Sequence, residues 1–298
     1  MKIFLAMPHF IKRQAANNET GAPQYASHTQ DPLERIPNFL TALQSFIAMF
    51  PQRNIELLHT SGTVGTSAAR HIQADTIDVA ICTFGDNHIL DLLPGPLPKN
   101  IRQVPVECDP MQLGFECHKQ MLKAYNEGEY DFFVYAEDDI ALFDKDIFEK
   151  LAWFEKTFGE DCLLNPNRYE IPFSWQKIYV DGAMPASIYN GAIQDIGELV
   201  EGVYGTQRIQ FVRHANPMSG CFFLTRKQMG RLVSEPTFGT PSKEILSYLE
   251  TAQILALVKQ FKVYKPTLQY AAFAEVKHTG TRLSLTRASQ VTLAKALA

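Results

Sequence analysis

Short apolar runs alternate with helical patterns along the first half of the chain, which is typical of βαβ units that build a parallel sheet. The runs at residues 3–7, 77–83 and 131–136 predict strands. Residues 35–49 repeat apolar side chains with a helical period, and residues 111–125 predict a second helix. The run at 131–136 is almost unbroken, as in strands that helices cover on both faces. The pattern therefore predicts an α/β fold with a mostly parallel sheet.

The remaining pattern is less regular. Residues 12–31 form a long polar loop, for which we expect either a mobile lid or an ill-ordered segment. Residues 94–105 are rich in proline and predict a connector between elements. Further strands are predicted at 55–59, 222–224, 263–268 and 271–276, and further helices at 148–158, 244–261 and 287–298. No linker divides the chain, so we predict one domain over residues 1–298.

Composition and charge exclude several classes of protein. The 298 residues are 46% hydrophobic and 20% charged with a net charge of -4, so we expect no nucleic-acid partner. No apolar stretch approaches the roughly 20 residues of a transmembrane helix, and the apolar run at the N-terminus is too short for a secretory signal. Five cysteines without a CxxC pair favour a reducing, cytoplasmic setting over disulfides or a thiolate zinc site.

The most informative feature is an acidic triplet, Glu137, Asp138 and Asp139, directly after the most apolar predicted strand. Ligands of open α/β sheets bind outside the carboxyl ends of the strands, which is where these side chains would converge. Adjacent carboxylates repel one another, and oxygen ligands suit Mg²⁺ or Mn²⁺, which in turn hold diphosphates. A solvated acidic turn is the alternative, but the position after a buried strand favours a metal site.

With this triplet, the order of elements resembles the GT-A class of nucleotide-sugar-dependent glycosyltransferases. The likeness consists of a Rossmann-like first half, a helix, and a hydrophobic strand that runs into a DxD-type motif. It implies a GT-A-like Rossmann-type three-layer α/β/α domain, with residues 1–145 as the nucleotide-sugar-binding half and 146–298 as the acceptor-binding half. It also implies Asp139 as the main metal ligand and Glu137 as its partner, although glutamate here replaces the first aspartate of the motif.

Two later segments match the same family. Residues 217–224 resemble the small-residue segment and strand that line the acceptor side, and residues 277–280 resemble the segment that carries a late histidine. The resemblance implies His278 as a further metal ligand, which would bias the site toward Mn²⁺ over Mg²⁺. Without the resemblance, a lone histidine is as readily a hydrogen-bonded structural residue.

Candidate donor-binding residues follow from position. Pro8 and His9 end the first strand, where the family binds the nucleotide base, and Asp86 ends another strand at the same edge of the sheet. Asp138, inside the triplet, is the fourth candidate. Simple strand-ending turns are an equally good interpretation of these positions.

Glu250 is the candidate catalytic base. In a helix over residues 244–261 it shares an apolar face with Leu246 and Ile254, where burial would raise the pKa of its carboxyl group. Such a group can take a proton from an acceptor hydroxyl. A structural glutamate that pairs with a basic residue or caps a loop is the alternative.

Together these features predict a metal-dependent glycosyltransferase. It would move a sugar from a nucleotide diphosphate sugar to the hydroxyl of a saccharide or other acceptor, by inverting displacement if Glu250 is the base. A nucleotidyltransferase is one alternative, but residues 8–14 lack the glycine-rich loop that this class needs. A non-catalytic module of the same fold, which binds metal or nucleotide sugar, is the other.

Overall fold

The computed structural model describes residues 1–12, 31–48, 53–58, 62–68, 76–172 and 176–280. The helices in these residues are α1 (Pro32–Ala48), α2 (Leu113–Glu127), α3 (Ile147–Phe158), α4 (Arg226–Leu232) and α5 (Tyr248–Gln260). The strands are β1 (Lys2–His9), β2 (Arg53–Leu58), β3 (Thr63–Ala68), β4 (Thr76–Phe84), β5 (Ile101–Val106), β6 (Phe132–Ala136), β7 (Ile140–Ala141), β8 (Cys162–Leu164), β9 (Asn167–Glu170), β10 (Ile178–Tyr179), β11 (Leu199–Tyr204), β12 (Gln207–Val212), β13 (Cys221–Thr225), β14 (Lys262–Pro266) and β15 (Glu275–His278).

The central sheet has the strand order β13-β6-β1-β4-β5. Strand β1 pairs in parallel with β4 and β6, β5 pairs in parallel with β4, and β13 runs antiparallel to β6. The predicted mostly parallel sheet is therefore confirmed. The chain moves outward from β1 to β4 and β5 and then returns to β6 on the other side of β1. The strand order thus reverses between β1 and β6, and in open α/β sheets this switch point opens the ligand crevice.

Helices cover both faces of this sheet, as predicted. Successive side chains of a strand point to opposite faces. On one face Leu5 of β1 belongs to a buried cluster with Phe39 of α1 and Phe148 of α3. On the other face, Phe4 joins a second buried cluster that includes Ile254 and residues of α2 and α4. The three-layer α/β/α arrangement is therefore confirmed. None of the helices in the described residues is long and apolar enough to cross a membrane.

A second, four-stranded sheet lies at the carboxyl end of β6 and has the order β10-β9-β15-β7. Strand β15 is central: it pairs in parallel with β9 and antiparallel with β7. Strand β7 begins at Ile140, the residue after the acidic triplet. The second sheet therefore begins where the central strand β6 ends. A third sheet has four strands in the order β11-β12-β14-β8.

One prediction for the first half needs correction, and a second is confirmed in a separate sheet. The predicted connector over residues 94–105 contains the start of strand β5, which forms the edge of the central sheet. Pro105 is compatible with this position because an edge strand leaves one row of N–H groups unpaired. The predicted strand at 55–59 exists as β2, but it pairs with β3 in a separate hairpin and not with the central sheet.

In the second half of the chain, some observed elements also begin at other residues than the sequence pattern predicts. Helix α5 begins at Tyr248, because the Ser247 hydroxyl caps it by accepting a hydrogen bond from the Leu249 N–H at 3.1 Å. Leu246 has a positive φ of 49° and is exposed, so it lies outside the helix. The predicted strand at 271–276 starts too early, because a 3₁₀ helix (Leu268–Phe273) precedes β15. The predicted lid and the predicted terminal helix fall largely or wholly on residues 13–30 and 281–298, outside the described residues.

Candidate functional site

The acidic triplet forms the turn between β6 and β7, at the switch point of the central sheet. Its backbone is anchored on both sides. The Glu137 N–H donates to the Gly220 carbonyl at 2.8 Å, and the Thr279 N–H donates to the Asp139 carbonyl at 2.8 Å. These bonds join the triplet to the segment before β13 and to the end of β15. The three side chains then take three different sets of partners.

The Asp138 side chain points into the protein. Its Oδ2 lies 2.5 Å from His9 Nδ1, and its Oδ1 accepts a hydrogen bond from Arg35 Nη2. His9 Nε2 accepts from the Ile89 N–H at 3.2 Å, so the ring carries its hydrogen on Nδ1 and donates it to Asp138. Asp138 and His9 thus tie β1, β6, α1 and the segment after β4 together.

This geometry places three of the predicted donor-binding residues in buried positions, and their contact with a donor stays a prediction. His9 is 0% exposed and Pro8 is also buried, so neither side chain reaches the crevice. Both carboxylate oxygens of Asp138 are occupied by buried partners. The fourth candidate, Asp86, is exposed in the turn after β4. Its contact with a donor stays a prediction.

Asp139 faces the crevice. Its Oδ2 lies 3.2 Å from Arg35 Nη2 and 3.3 Å from His278 Nε2, whereas its Oδ1 is buried without a hydrogen-bond partner. Burial acts to raise the pKa of Asp139, but the charges of His278 and Arg35 outweigh burial and hold this pKa well below its usual range. Asp139 is therefore an ionised carboxylate whose Oδ1 has no hydrogen-bond partner among the described residues.

His278 lies between two carboxylates. Its Nδ1 is 2.7 Å from Glu170 Oε1, and its Nε2 faces Asp139. Burial acts to lower the pKa of His278, but Asp139 and the hydrogen bond to Glu170 raise it to about 10. Without a cation at Asp139, the imidazole therefore carries hydrogen on both nitrogens at neutral pH.

Glu137 turns to the opposite side of the crevice. Its Oε1 accepts a hydrogen bond from Gln253 Nε2 at 2.5 Å, and its Oε2 lies 4.0 Å from Arg168 Nη1. The Gln253 carboxamide is oriented by its oxygen, which accepts from the Gly220 N–H at 3.1 Å. Burial, followed by the neighbouring charge of Asp139, raises the pKa of Glu137 to about 8.

Gly220 allows this close approach. Its φ is +69°, and a Cβ at this position would lie 2.7 Å from the Ile140 side chain and 3.0 Å from Glu137 Oε2. A larger residue would therefore be strained and would also push the carboxylate away. This explains why a small-residue segment precedes β13.

A buried network of ion pairs holds Arg168 in place. Arg168 donates to Asp181 Oδ1 from Nε at 3.1 Å and from Nη2 at 2.7 Å. Asp181 Oδ2 in turn accepts from Lys265 Nζ at 3.1 Å, and Lys265 is 0% exposed. Burial acts to raise the pKa of Asp181, yet the two cations lower it overall. Arg168 is thereby held with Nη1 directed toward Glu137.

Glu250 lies in a different environment from the predicted one. It is half-buried in the first turn of α5 and accepts a hydrogen bond from the Ser247 hydroxyl. Because Leu246 lies outside the helix, the predicted apolar face around Glu250 is incomplete. The predicted apolar surroundings of Glu250 are therefore wrong, and its role as a base stays a prediction.

A divalent cation at this position stays a prediction, and two of its three predicted ligands, Asp139 and His278, lie next to each other. No three His, Cys, Asp or Glu residues in the described part of the chain form a group that could hold a metal ion. Mg²⁺, however, is commonly bound by only one or two carboxylates together with substrate phosphates. Asp139 has an unpartnered Oδ1, whereas the Glu137 carboxylate contacts Gln253 and Arg168.

The spacing of His278 and Asp139 agrees with this interpretation. The 3.3 Å between Nε2 and Oδ2 is longer than a charge-assisted hydrogen bond of about 2.7–2.9 Å. Neighbouring ligands of one octahedral ion lie about 3 Å apart. Asp139 and His278 are therefore close enough to be ligands of one cation, and the prediction that they bind it together with Glu137 stays a prediction.

The sequence pattern did not identify four residues of the site: Arg35, Arg168, Glu170 and Gln253. A signal existed for two of them. Arg35 lies four residues before Phe39 on the buried face of α1, and Gln253 lies in a helix that is buried nearly all round. A polar residue in such a position requires a buried partner. Arg168 and Glu170 lie in a segment with weak periodicity and gave no comparable signal.

Comparisons with known proteins add little to this geometry. No protein-family model matches the chain, and no curated protein matches it. Among solved structures, the crystal structure of S. aureus TarS 1–349 is similar with a TM-score of 0.44 and 12% sequence identity. The match covers 94% of this chain and 61% of that chain, so this chain spans about three fifths of the other structure. A likeness at this TM-score carries no information about a reaction, so the chemistry has to come from the residues themselves.

Proposed function

We propose that this protein is a metal-dependent glycosyltransferase that uses a nucleotide diphosphate sugar as its donor. The observation that carries the proposal is the pair of Asp139 and His278 at the switch point of the central sheet, with one carboxylate oxygen left open. A cation held there would meet a diphosphate in the crevice where α/β sheets bind their ligands.

The residues around the crevice have distinct roles in this proposal. Asp139 and His278 would hold Mn²⁺ or Mg²⁺, which supplies positive charge to a leaving nucleoside diphosphate. Arg35 contacts Oδ2 of Asp139, which leaves Oδ1 as the oxygen that would bind the cation. Glu137 has a 21% exposed side chain that Gln253 orients, and it can accept a hydrogen bond from a donor hydroxyl.

The acceptor would be a saccharide or another hydroxyl compound. We retain Glu250 as the candidate base for inverting displacement, because a half-buried carboxylate in the first turn of α5 lies on the helix that also carries Gln253. In Glu250→Gln we expect retained donor binding and lost sugar transfer. Near-normal turnover of this variant, measured by release of nucleoside diphosphate, would remove Glu250 from the mechanism.

A screen of nucleotide sugars by thermal unfolding tests the proposed function. With Mn²⁺ present, we expect at least one nucleotide diphosphate sugar to raise Tm, since a ligand that binds only the folded state stabilises it. Chelation of the metal should abolish the shift. A preference for nucleoside triphosphates would indicate a nucleotidyltransferase, and binding without turnover of any acceptor would indicate a binding module. The absence of any shift with Mn²⁺ and nucleotide sugars would contradict the proposal.

A further inference from the structure

Glu170 is a buried carboxylate at the back of the candidate cation site. It is 0% exposed at the end of β9, and its Oε1 lies 2.7 Å from His278 Nδ1. A buried carboxylate is costly unless it has a close partner that donates hydrogen bonds. His278 is such a partner, and Glu170 contacts it at the ring nitrogen that does not face Asp139.

The backbone of the second sheet fixes this arrangement. In the pairing of β15 with β9, Lys277 lies opposite Tyr169, so His278 and Glu170 are the next neighbours along the two strands. On its other side, β15 places His278 opposite Ile140, and the Thr279 N–H bonds to the Asp139 carbonyl. The order Glu170, His278, Asp139 across the site thus follows from strand register.

We propose that Glu170 is a positioning residue for the cation site, an inference that rests on the proposed function. By accepting the Nδ1 hydrogen of His278, Glu170 fixes the ring so that the Nε2 lone pair is available toward a cation at Asp139. A ligating histidine commonly donates its second N–H to a carboxylate, which orients the ring and makes the ligating nitrogen more basic. Glu170 itself does not touch the cation.

The competing explanation is that Glu170 only stabilises the fold. In that case His278 is an imidazolium that bridges two carboxylates, and its nitrogen never binds a cation. Both explanations predict some loss of stability when Glu170 is changed. Only the positioning role predicts that the nitrogen of His278 is a metal ligand whose binding depends on Glu170.

The experiment uses the full chain with Mn²⁺ alone as the probe. Mn²⁺ affinity is measured by electron paramagnetic resonance, and ligation by histidine is detected as a nitrogen coupling in pulsed spectra. The variants are Glu170→Gln, Glu170→Asp and His278→Asn. The matched control is Glu275→Gln on β15, because Glu275 contacts Lys177 at 2.5 Å and Tyr179 at 2.7 Å and not His278.

We expect a nitrogen coupling in the wild type that disappears in His278→Asn. Glu170→Gln should lower Mn²⁺ affinity by about 10- to 100-fold, Glu170→Asp should recover part of it, and Glu275→Gln should leave it unchanged. A wild type without nitrogen coupling or without Mn²⁺ binding, or a Glu170→Gln variant with wild-type affinity and coupling, would overturn the inference. Failure of the proposed function would show separately, as a wild type that binds no nucleotide sugar.

Discussion

Replacing Arg35 with methionine should lower the free energy of unfolding by about 3–5 kcal/mol, the usual cost of leaving a buried charge without its partner. Arg35 Nη2 binds both Asp138 and Asp139, and the arginine side chain is only 8% exposed. Methionine keeps most of the aliphatic packing but removes the cation that two buried carboxylates share. Urea unfolding followed by circular dichroism at neutral pH measures the loss.

Arg208→Met is the matched control for this prediction. Arg208 forms an ion pair with Glu201 at 2.7 Å, but its side chain is 75% exposed. Exposed pairs contribute about 0–1 kcal/mol, so the same substitution should have little effect there. Equal losses in the two variants would mean that the acidic triplet does not depend on Arg35 for its charge balance.

Asp139→Asn should reduce donor affinity in the presence of Mn²⁺ by at least about 100-fold, or about 2.7 kcal/mol. Asparagine has nearly the same shape, but it lacks the negative charge that would hold the cation. The remaining affinity should no longer respond to Mn²⁺ or to chelation. Calorimetric titration with the nucleotide sugar found in the screen, with and without Mn²⁺, measures both effects.

Asp144→Asn is the control for this substitution. Asp144 accepts hydrogen bonds from Lys150 at 2.8 and 2.9 Å and lies outside the acidic triplet. We expect this variant to bind the donor with unchanged affinity and unchanged Mn²⁺ dependence. If Asp139→Asn also retained both properties, the cation site at Asp139 would be wrong.

The central sheet could be predicted because each of its main strands is visible in the sequence as an apolar or β-branched run. The run before Glu137 is apolar from Phe132 to Ala136, and the run at 77–83 is rich in β-branched residues, so both are typical of buried strands. A carboxylate cluster after such a strand must lie at the carboxyl edge of the sheet. The position of the acidic triplet in the crevice therefore followed from local pattern alone.

The partners of the triplet were not predictable in the same way. Strands β9 and β15 have four residues each and β7 has two, too few for a periodic pattern. Their pairing is set by contacts between distant segments. The start of α5 was missed for a local reason: apolar residues before Tyr248 continue the helical pattern, but the Ser247 cap and the positive φ of Leu246 end it. The prediction of an apolar face around Glu250 was wrong for the same reason.

The central position of β15 in the second sheet has a consequence for how the protein is made. Strands β7 and β9 do not pair with each other, and each pairs with β15, whose His278 lies 108 residues after Glu170 in the chain. Contacts between such distant segments form late, because a long loop must close first. During synthesis on the ribosome, the acidic triplet therefore emerges long before its histidine. If Asp139 and His278 hold a cation as proposed, the nascent chain can bind it only once β15 has docked, near the end of folding.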